Sequence, residues 1–253
     1  MRRVDLNCDL GEGAGHDAEL MPLITSANIA CGGHAGDEAT MRATVTLAKA
    51  HGVAVGAHPG YPDRKNFGRR ELRARPDEVM AWVTAQILAL QHVAQGMGVS
   101  LVHVKPHGAL YNQSARDRAL ADAVAQAVQA IDPGLVLVGP AGSELMAAGR
   151  RLGLTVAREA FADRAYRADD TLVPRSDPQA LVADPEQVKR QVLRLVRDGV
   201  VGSVEGHSVA VTADTICLHG DGDHAVEFAR TLRAALAGAG IAVERFSKRN
   251  DTR

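Results

Sequence analysis

The sequence is poor in aromatic residues and has no excess of charge of either sign. Aromatic residues make up 3% of the 253 positions, which argues against the stacking surfaces that bind single-stranded nucleic acids. The 29 Lys and Arg residues are balanced by 30 Asp and Glu residues, so no overall basic charge favours a phosphate backbone. With 46% hydrophobic residues, the chain is predicted to be an ordinary soluble globular protein without a nucleic-acid partner.

Long apolar runs and cysteine pairs are also missing. No uninterrupted apolar stretch approaches the roughly 20 residues that span a bilayer, so no membrane association is expected. Polar residues at Asp5, Asn7 and Asp9 follow the basic start of the chain, where a signal peptide needs an apolar run. Three cysteines cannot form a complete disulfide framework and are predicted to be free thiols. We expect a cytoplasmic protein.

Short β-prone runs alternate with segments of helical period, which is typical of a mainly parallel sheet covered by helices. The helical segments begin near Pro76 and at Asp184-Pro185, contain Leu120 to Ile131, and end with one that includes Phe228 and Leu232. The strand candidates are Val4–Cys8, Ala27–Ala30, Val53–Ala57, Leu101–Val104, Leu135–Val138, Leu154–Ala157, Thr215–Leu218 and Ile241–Val243. Because no linker divides the chain, we predict a single TIM-like (β/α) barrel over residues 1–246 and a polar tail over 247–253. An open doubly wound sheet is the alternative.

Two predicted connections are longer than usual for such a fold. They are rich in Gly, Pro, Asp and Arg, and they span His58 to Arg75 and Phe161 to Ala183. Each is either a binding loop or lid or a plain surface excursion.

Polar and ionisable residues gather where the predicted strands end. These clusters are Asn7–Gly13, Asn28–His34, Gly56–Gly60, Lys105–Gly108, Glu159–Arg164 and Cys217–Asp221. In a barrel the carboxyl ends of the strands meet at one mouth, so we expect these residues to surround one substrate.

Several of these residue types suit catalysis or binding. Asp9 and Glu12 form a pair of carboxylates able to divide acid and base roles, or else Asp9 caps a turn and Glu12 is solvated. Four histidines are candidate proton carriers or metal ligands, although an isolated histidine is more often structural; these are His34, His58, His107 and His219. No HExxH or CxxC spacing is present, so any metal site would be assembled from different strands and its occupant is unknown.

Basic residues near the same strand ends offer sites for anions. Lys105 directly follows a β-prone run, where it would neutralise an oxyanion or a phosphoryl group, or else form an ion pair at the rim. Arg64 and Arg164 lie in the two long connections and would bind a carboxylate or phosphate. Neither a GxxxxGK[ST] nor a GxGxxG motif is present, so a nucleotide would bind in another way.

Taken together, the clusters resemble the LamB/YcsF family nearly end to end. The segments that carry the resemblance are DLNCDLGEG (5–13), NIACGGHAGD (28–37), GAHPGYPDRKNFGR (56–69), VKPHGALYN (104–112), EAFADRAY (159–166) and CLHGD (217–221). One departure is Asp170, where the family's usual D-G pair places glycine, so the local turn is expected to differ.

The resemblance implies a barrel related to the glycoside hydrolase/deacetylase fold and the A subunit of an ATP-dependent 5-oxoprolinase. This cyclic amide hydrolase cleaves 5-oxo-L-proline to L-glutamate while ATP becomes ADP and phosphate. The implied partners are subunits B and C, and the co-substrate is ATP with Mg²⁺. The expected catalytic residues are Asp9, His34, His58, Lys105 and His107. The expected substrate-binding residues are Asn7, Glu12, Asn28, Arg64, Arg164 and His219.

Two other functions remain open at this stage. The implied fold and the Asp- and His-rich mouth also suit a metal-dependent carbohydrate deacetylase. A non-catalytic subunit that binds a lactam would need the same kind of pocket.

Overall fold

A computed structural model describes residues 2–175, 177–219 and 225–245. The strands are β1 (Arg3–Leu10), β2 (Ser26–Ala30), β3 (Ala54–His58), β4 (Leu101–Val104), β5 (Val136–Pro140), β6 (Val156–Phe161), β7 (Val200–Gly202), β8 (Ser208–Ala210), β9 (Thr215–His219) and β10 (Ala242–Val243). The helices are α1 (Asp17–Leu20), α2 (Glu38–His51), α3 (Pro76–Gly96), α4 (Gly108–Arg116), α5 (Arg118–Ile131), α6 (Glu144–Arg151), α7 (Pro185–Asp198) and α8 (Ala225–Gly238). Two short 3₁₀ helices span Met21–Leu23 and Arg64–Asn66. The predicted tail at 247–253 lies outside the described residues.

Seven parallel strands form a closed ring. Their order is β1-β2-β3-β4-β5-β6-β9, and β9 returns to pair with β1. The closing register pairs Asp5 with Thr215 and Asp9 with His219. The barrel prediction is therefore confirmed, and the open-sheet alternative is wrong because the ring has no gap between its first and last strands.

The eight predicted strands all fall on observed ones, but the last does not enter the ring. The two residues of β10 extend the amino-terminal edge of β1, with Ala242 beside Arg3 and Val243 beside Val4. The antiparallel pair of β7 and β8 was missed. Each of these strands has three residues, too few for an alternating pattern to appear in the sequence.

Local sequence signals set the helix ends. In α7, the Asp184 side chain accepts from the backbone N–H of Glu186, and Pro185 occupies the first turn, where its missing N–H costs nothing. The helix ends at Gly199, whose φ of 70° is left-handed. Apolar residues of α7 such as Val192 are buried in the main hydrophobic core. Helices of this kind surround the ring, and among the described residues none is both long and apolar enough to cross a membrane.

Both long connections are present, and each carries structure of its own. The first contains the 3₁₀ helix Arg64–Asn66. The second is folded back on itself by isolated antiparallel bridges, Arg164 to Leu181 and Tyr166 to Leu172. Asp170 lies in this connection with φ of 65°, so the aspartate adopts the left-handed conformation that glycine favours. The departure from the family pattern therefore places an aspartate in a left-handed conformation at this turn.

Candidate active site

The inner face of β1 is polar along its whole length. Since side chains alternate along a strand, Asp5, Asn7 and Asp9 share one face while Leu6 and Cys8 pack on the other. At the amino end, Thr25, Ser26 and Thr215 all donate hydrogen bonds to the Asp5 carboxylate. Burial raises the pKa of Asp5 to about 6 in spite of these bonds. The barrel interior is therefore a hydrogen-bonded network and not an apolar core.

Above Asp5, two buried asparagines are held in fixed orientations. The Asn28 amide donates to Asn7 Oδ1 at 2.7 Å and to Asp9 Oδ1 at 2.8 Å. Asn28 Oδ1 accepts from Nε2 of His103 at 2.8 Å. His103 reaches Asn28 by crossing β3 at Gly56, where a Cβ atom would lie 2.0 Å from His103 Nε2. Burial, followed by the charge of Lys105, lowers the pKa of His103 to about 3, so its ring is neutral.

Lys105 occupies the centre of the barrel mouth. Its Nζ lies 2.8 Å from Asp9 Oδ1 and 2.9 Å from Glu159 Oε1. It also donates to Sγ of Cys217 at 3.1 Å. Burial alone would lower the pKa of Lys105, but the negative charges of Asp9 and Glu159 outweigh it and raise that pKa. A buried ammonium is thus held between two carboxylates contributed by β1 and β6.

Next to this ion pair, three imidazoles surround one carboxylate. Oε1 of Glu12 lies 2.8 Å from His34 Nε2, 3.2 Å from His107 Nδ1 and 3.7 Å from His58 Nε2. The rings of His34 and His107 are stacked 3.6 Å apart, and His58 is perpendicular to both. His58 Nε2 also lies 3.3 Å from Asp9 Oδ2 and so joins this group to the lysine centre.

Burial and hydrogen bonding shift the pKa values of Glu12 and His34. Burial would raise the pKa of Glu12, but hydrogen bonds from His107 and His34 lower it below its usual value. Burial lowers the pKa of His34 to about 4, against the opposing effect of the bond to Glu12. The carboxylate form of Glu12 and the neutral form of His34 are both favoured.

Eight of the residues predicted from the sequence meet at this mouth, as expected for strand ends in a barrel. They are Asn7, Asp9, Glu12, Asn28, His34, His58, Lys105 and His107. Both asparagines bond to other protein groups in this structure: the fully buried Asn28 orients Asp9, whereas Asn7 donates to Glu159 and Thr215. The individual catalytic and binding roles stay predictions.

The other three predicted residues lie differently. Arg64 is exposed and donates to the backbone carbonyls of Gly32 and Gly36, which fastens the loop after β2. Arg164 is buried in the second long connection, where it donates to the carbonyls of Val173 and Ala180. His219 belongs to β9 and pairs through its backbone with Asp9, but its side chain lies outside the description.

Three residues of the site were not assigned roles from the sequence. His103 is not among the four candidate histidines, and Glu159 and Cys217 appear only as the first residues of predicted clusters. The missed signal is alternation within each strand, because His103 lies two positions before Lys105 and Cys217 two positions after Thr215. Residues spaced in this way point to the same side of a barrel wall.

Close relatives share this chain over nearly its whole length. It is 53% identical over 252 residues to the 5-oxoprolinase A subunit of Geobacillus thermodenitrificans (strain NG80-2), covering 98% of each chain. It is 54% identical over 248 residues to the 5-oxoprolinase A subunit of Geobacillus kaustophilus (strain HTA426), covering 96% of this chain and 97% of that one. The crystal structure of the lactam utilization protein from Thermus thermophilus superposes with a TM-score of 0.91 at 50% identity, covering 96% of this chain and all of that one. The sequence profile of the LamB/YcsF family matches residues 4–251, and the chain belongs to that family.

Proposed function

We propose that this chain is the A subunit of an ATP-dependent 5-oxoprolinase, which opens 5-oxo-L-proline to L-glutamate in the cytoplasm. Two relatives that are named as the A subunit of 5-oxoprolinase match it from end to end at more than half identity. The Thermus protein of the same fold is named for lactam utilization. In this proposal the complete enzyme also contains subunits B and C.

The use of ATP in this reaction has a chemical explanation. An unstrained lactam is a poor electrophile, so its carbonyl oxygen first attacks the γ-phosphorus of ATP and ADP leaves. A water molecule then adds to the activated carbon, and the ring C–N bond breaks as the nitrogen takes a proton. A second water displaces phosphate from the acyl phosphate that results. Products are glutamate, ADP and phosphate.

The buried Lys105 between Asp9 and Glu159 is the observation that carries this proposal. A fixed ammonium in a site of low dielectric stabilises negative charge that develops on an oxygen without needing to reorient. The Asp9 side chain is 10% exposed, whereas that of Glu159 is fully buried. Asp9 is therefore the carboxylate of this pair that a water molecule can reach. We assign proton transfer from water to Asp9 and charge stabilisation to Lys105.

The far side of Lys105 suits the substrate ring. The Phe161 ring centroid lies 5.6 Å from Lys105 Nζ, and Tyr111 meets Phe161 edge to face at 6.0 Å. Burial, followed by the charge of the neighbouring Glu159 carboxylate, raises the pKa of the Tyr111 hydroxyl, so a neutral hydroxyl lies beside this wall. An apolar wall with a few polar groups beside it is what a small cyclic amide requires. We place the lactam against this wall.

Nucleotide binding is proposed to be shared between chains. The sequence has no recognisable phosphate loop, and the resemblance is to one subunit of a larger enzyme. A site completed by subunits B and C, with ATP carried as its Mg²⁺ complex, accounts for both facts.

Reconstitution tests the proposal. Glutamate and ADP are measured for this chain alone, for B and C together, and for all three at matched concentrations. Coupled formation of both products only in the complete mixture is expected. Full activity of B and C without this chain would reduce it to an accessory or lactam-binding role. ATP-independent release of acetate from an acetylated carbohydrate would instead favour the deacetylase alternative.

A further inference from the structure

The four groups around Glu12 form a compact set of electron-pair donors. Glu12, His34, His58 and His107 each direct one oxygen or nitrogen inward, and these four atoms all lie within 4.8 Å of one another. Ligands about 2.0–2.1 Å from a tetrahedral metal ion are roughly 3.3 Å apart. Four of the six separations in this group are 2.8, 3.0, 3.2 and 3.7 Å, on either side of that value.

The outer nitrogens of two of these rings fix their tautomers. His58 Nδ1 lies 2.7 Å from the carbonyl oxygen of Lys105, and His107 Nε2 lies 2.9 Å from the carbonyl oxygen of Phe67. A carbonyl oxygen only accepts hydrogen bonds, so each of these nitrogens carries the proton. The other ring nitrogens, His58 Nε2 and His107 Nδ1, are therefore the ones that point towards Glu12 and can supply a lone pair to a common ion.

These two nitrogens face each other 3.0 Å apart. With the Glu12 carboxylate oxygen beside them, three electron-pair donors converge on one place, and a positive species there would be stabilised by all three. No lysine or arginine fills this role, because the ion pairs found among the described residues join Glu12 to histidines. The species is either a shared proton or a bound cation.

The composition of the group favours a metal cation. Three imidazoles and one carboxylate are the ligands that zinc and related transition metals prefer, whereas Mg²⁺ and Ca²⁺ prefer oxygen. Histidines that bind a metal usually donate their other ring N–H to a backbone carbonyl or carboxylate, as His58 and His107 do here.

The backbone around the group is shaped so that two of these rings can stack. At Gly68, whose φ is 61°, an added Cβ would lie 2.7 Å from Cβ of His34 and 3.1 Å from Cδ2 of His107. Glycine at this position leaves room for the parallel rings, which bring Nε2 of one and Nδ1 of the other to the same Glu12 oxygen.

We propose that Glu12, His34, His58 and His107 bind one divalent transition-metal ion of the zinc class. The site is separate from any Mg²⁺ that accompanies ATP, and it rests on the donor geometry and not on the proposed reaction. Metal content is measured on the isolated chain, so loss of lactam turnover and loss of metal binding are read independently.

The test uses purified protein stripped with a chelator and then titrated with Zn²⁺ or Co²⁺. About one ion per chain is expected by elemental analysis after removal of free metal, and Co²⁺ should give the intense visible absorption of a tetrahedral complex. Glu12→Gln and His107→Gln should each weaken binding by more than about 100-fold. His92→Gln, on the exposed face of α3, is the matched control and should bind as the unchanged protein does.

Two results would overturn the proposal. In the first, stripped wild-type protein that is titrated with Zn²⁺ binds no more of it than the Glu12→Gln variant does, and titration with Co²⁺ gives no tetrahedral spectrum. The other is equal binding by the wild type and both folded variants, which would place the ion elsewhere. Because the Co²⁺ spectrum is measured on the wild type, a variant that fails to fold does not prevent a decision.

Discussion

Lys105 Nζ lies 2.8 Å from Asp9 Oδ1 across the interior of the ring, although β4 and β1 are separated by two intervening strands. The contact is possible because both side chains point inward from parallel strands. Lys105 therefore has two effects that can be measured separately. It neutralises a buried carboxylate, which affects stability, and it presents positive charge at the mouth, which affects the proposed chemistry.

Replacing Lys105 with Met should affect both properties. Removal of one partner from a buried ion pair typically costs about 3–5 kcal/mol of unfolding free energy. Turnover of 5-oxoproline by the folded, assembled enzyme should fall by about 100-fold or more, as for other losses of oxyanion stabilisation. Urea denaturation and coupled assays of glutamate and ADP measure the two effects. The control is Lys49→Met, since Lys49 is exposed on α2. Near-normal turnover by Lys105→Met would exclude a catalytic role.

Asp9→Asn should reduce turnover much more than stability. An asparagine oxygen in place of Oδ1 still accepts from Asn28 and Lys105, and its NH₂ faces Nε2 of His58. We expect a loss of about 1–2 kcal/mol of stability from the missing charge pair. The kcat should fall by about 100-fold or more because the general base is gone. A variant that unfolds, with normal turnover in any native fraction, would show that Asp9 is structural.

Asp5 should make stability depend on pH in an unusual direction. Its pKa is about 6 in the folded protein against an ordinary value of 3.8, so the folded state keeps the proton that the unfolded chain releases. The free energy of unfolding should therefore fall as the pH rises from about 4 to about 6, by about 3 kcal/mol in total. Above about pH 6 the loss of unfolding free energy caused by Asp5 is complete and no longer changes with pH.

Denaturation curves over this pH range check the effect. Asp5→Asn cannot titrate, so the difference between wild type and variant should change across the window and level off above it. A difference that stays constant with pH would contradict the raised pKa.

Gly56→Ala should destabilise the barrel strongly. Its new methyl group would lie 2.0 Å from His103 Nε2, so His103 must move and lose its bond to Asn28. We expect a loss of about 2–4 kcal/mol, from steric strain and unsatisfied buried polar groups. The matched control is Gly202→Ala in β7, where no atom lies within 4 Å of the added group. Equal effects of the two substitutions in thermal or urea denaturation would disprove the packing argument.

Much of the fold could be predicted because strand and helix periods are local properties of the sequence. Val53–Ala57 and Leu101–Val104 are short apolar runs bounded by turn residues, and they form β3 and β4. The place of Ile241–Val243 outside the ring could not be predicted, because strand order depends on packing between distant segments. The short β7 and β8 lie below the length at which a period can be detected.

The site was predictable as a location but not as a set of contacts. Polar residues after parallel strands meet at one mouth, which correctly brought Asp9, His58 and Lys105 together. Arg64 resembled a ligand-binding residue in sequence, yet its position after β3 places it within reach of the carbonyls of the neighbouring loop. Whether an arginine binds a substrate or a backbone depends on geometry that composition does not contain.

Closure of the ring between β1 and β9 has a consequence for synthesis. The carboxylate of Asp5 accepts a hydrogen bond from Thr215, a residue 210 positions later in the chain. A nascent chain cannot complete this polar interior until β9 has left the ribosome, and until then both β1 and β6 present unpaired edges. Most of the protein must therefore be made before any of it is stable, so folding is expected to be slow, largely post-translational and dependent on protection from aggregation.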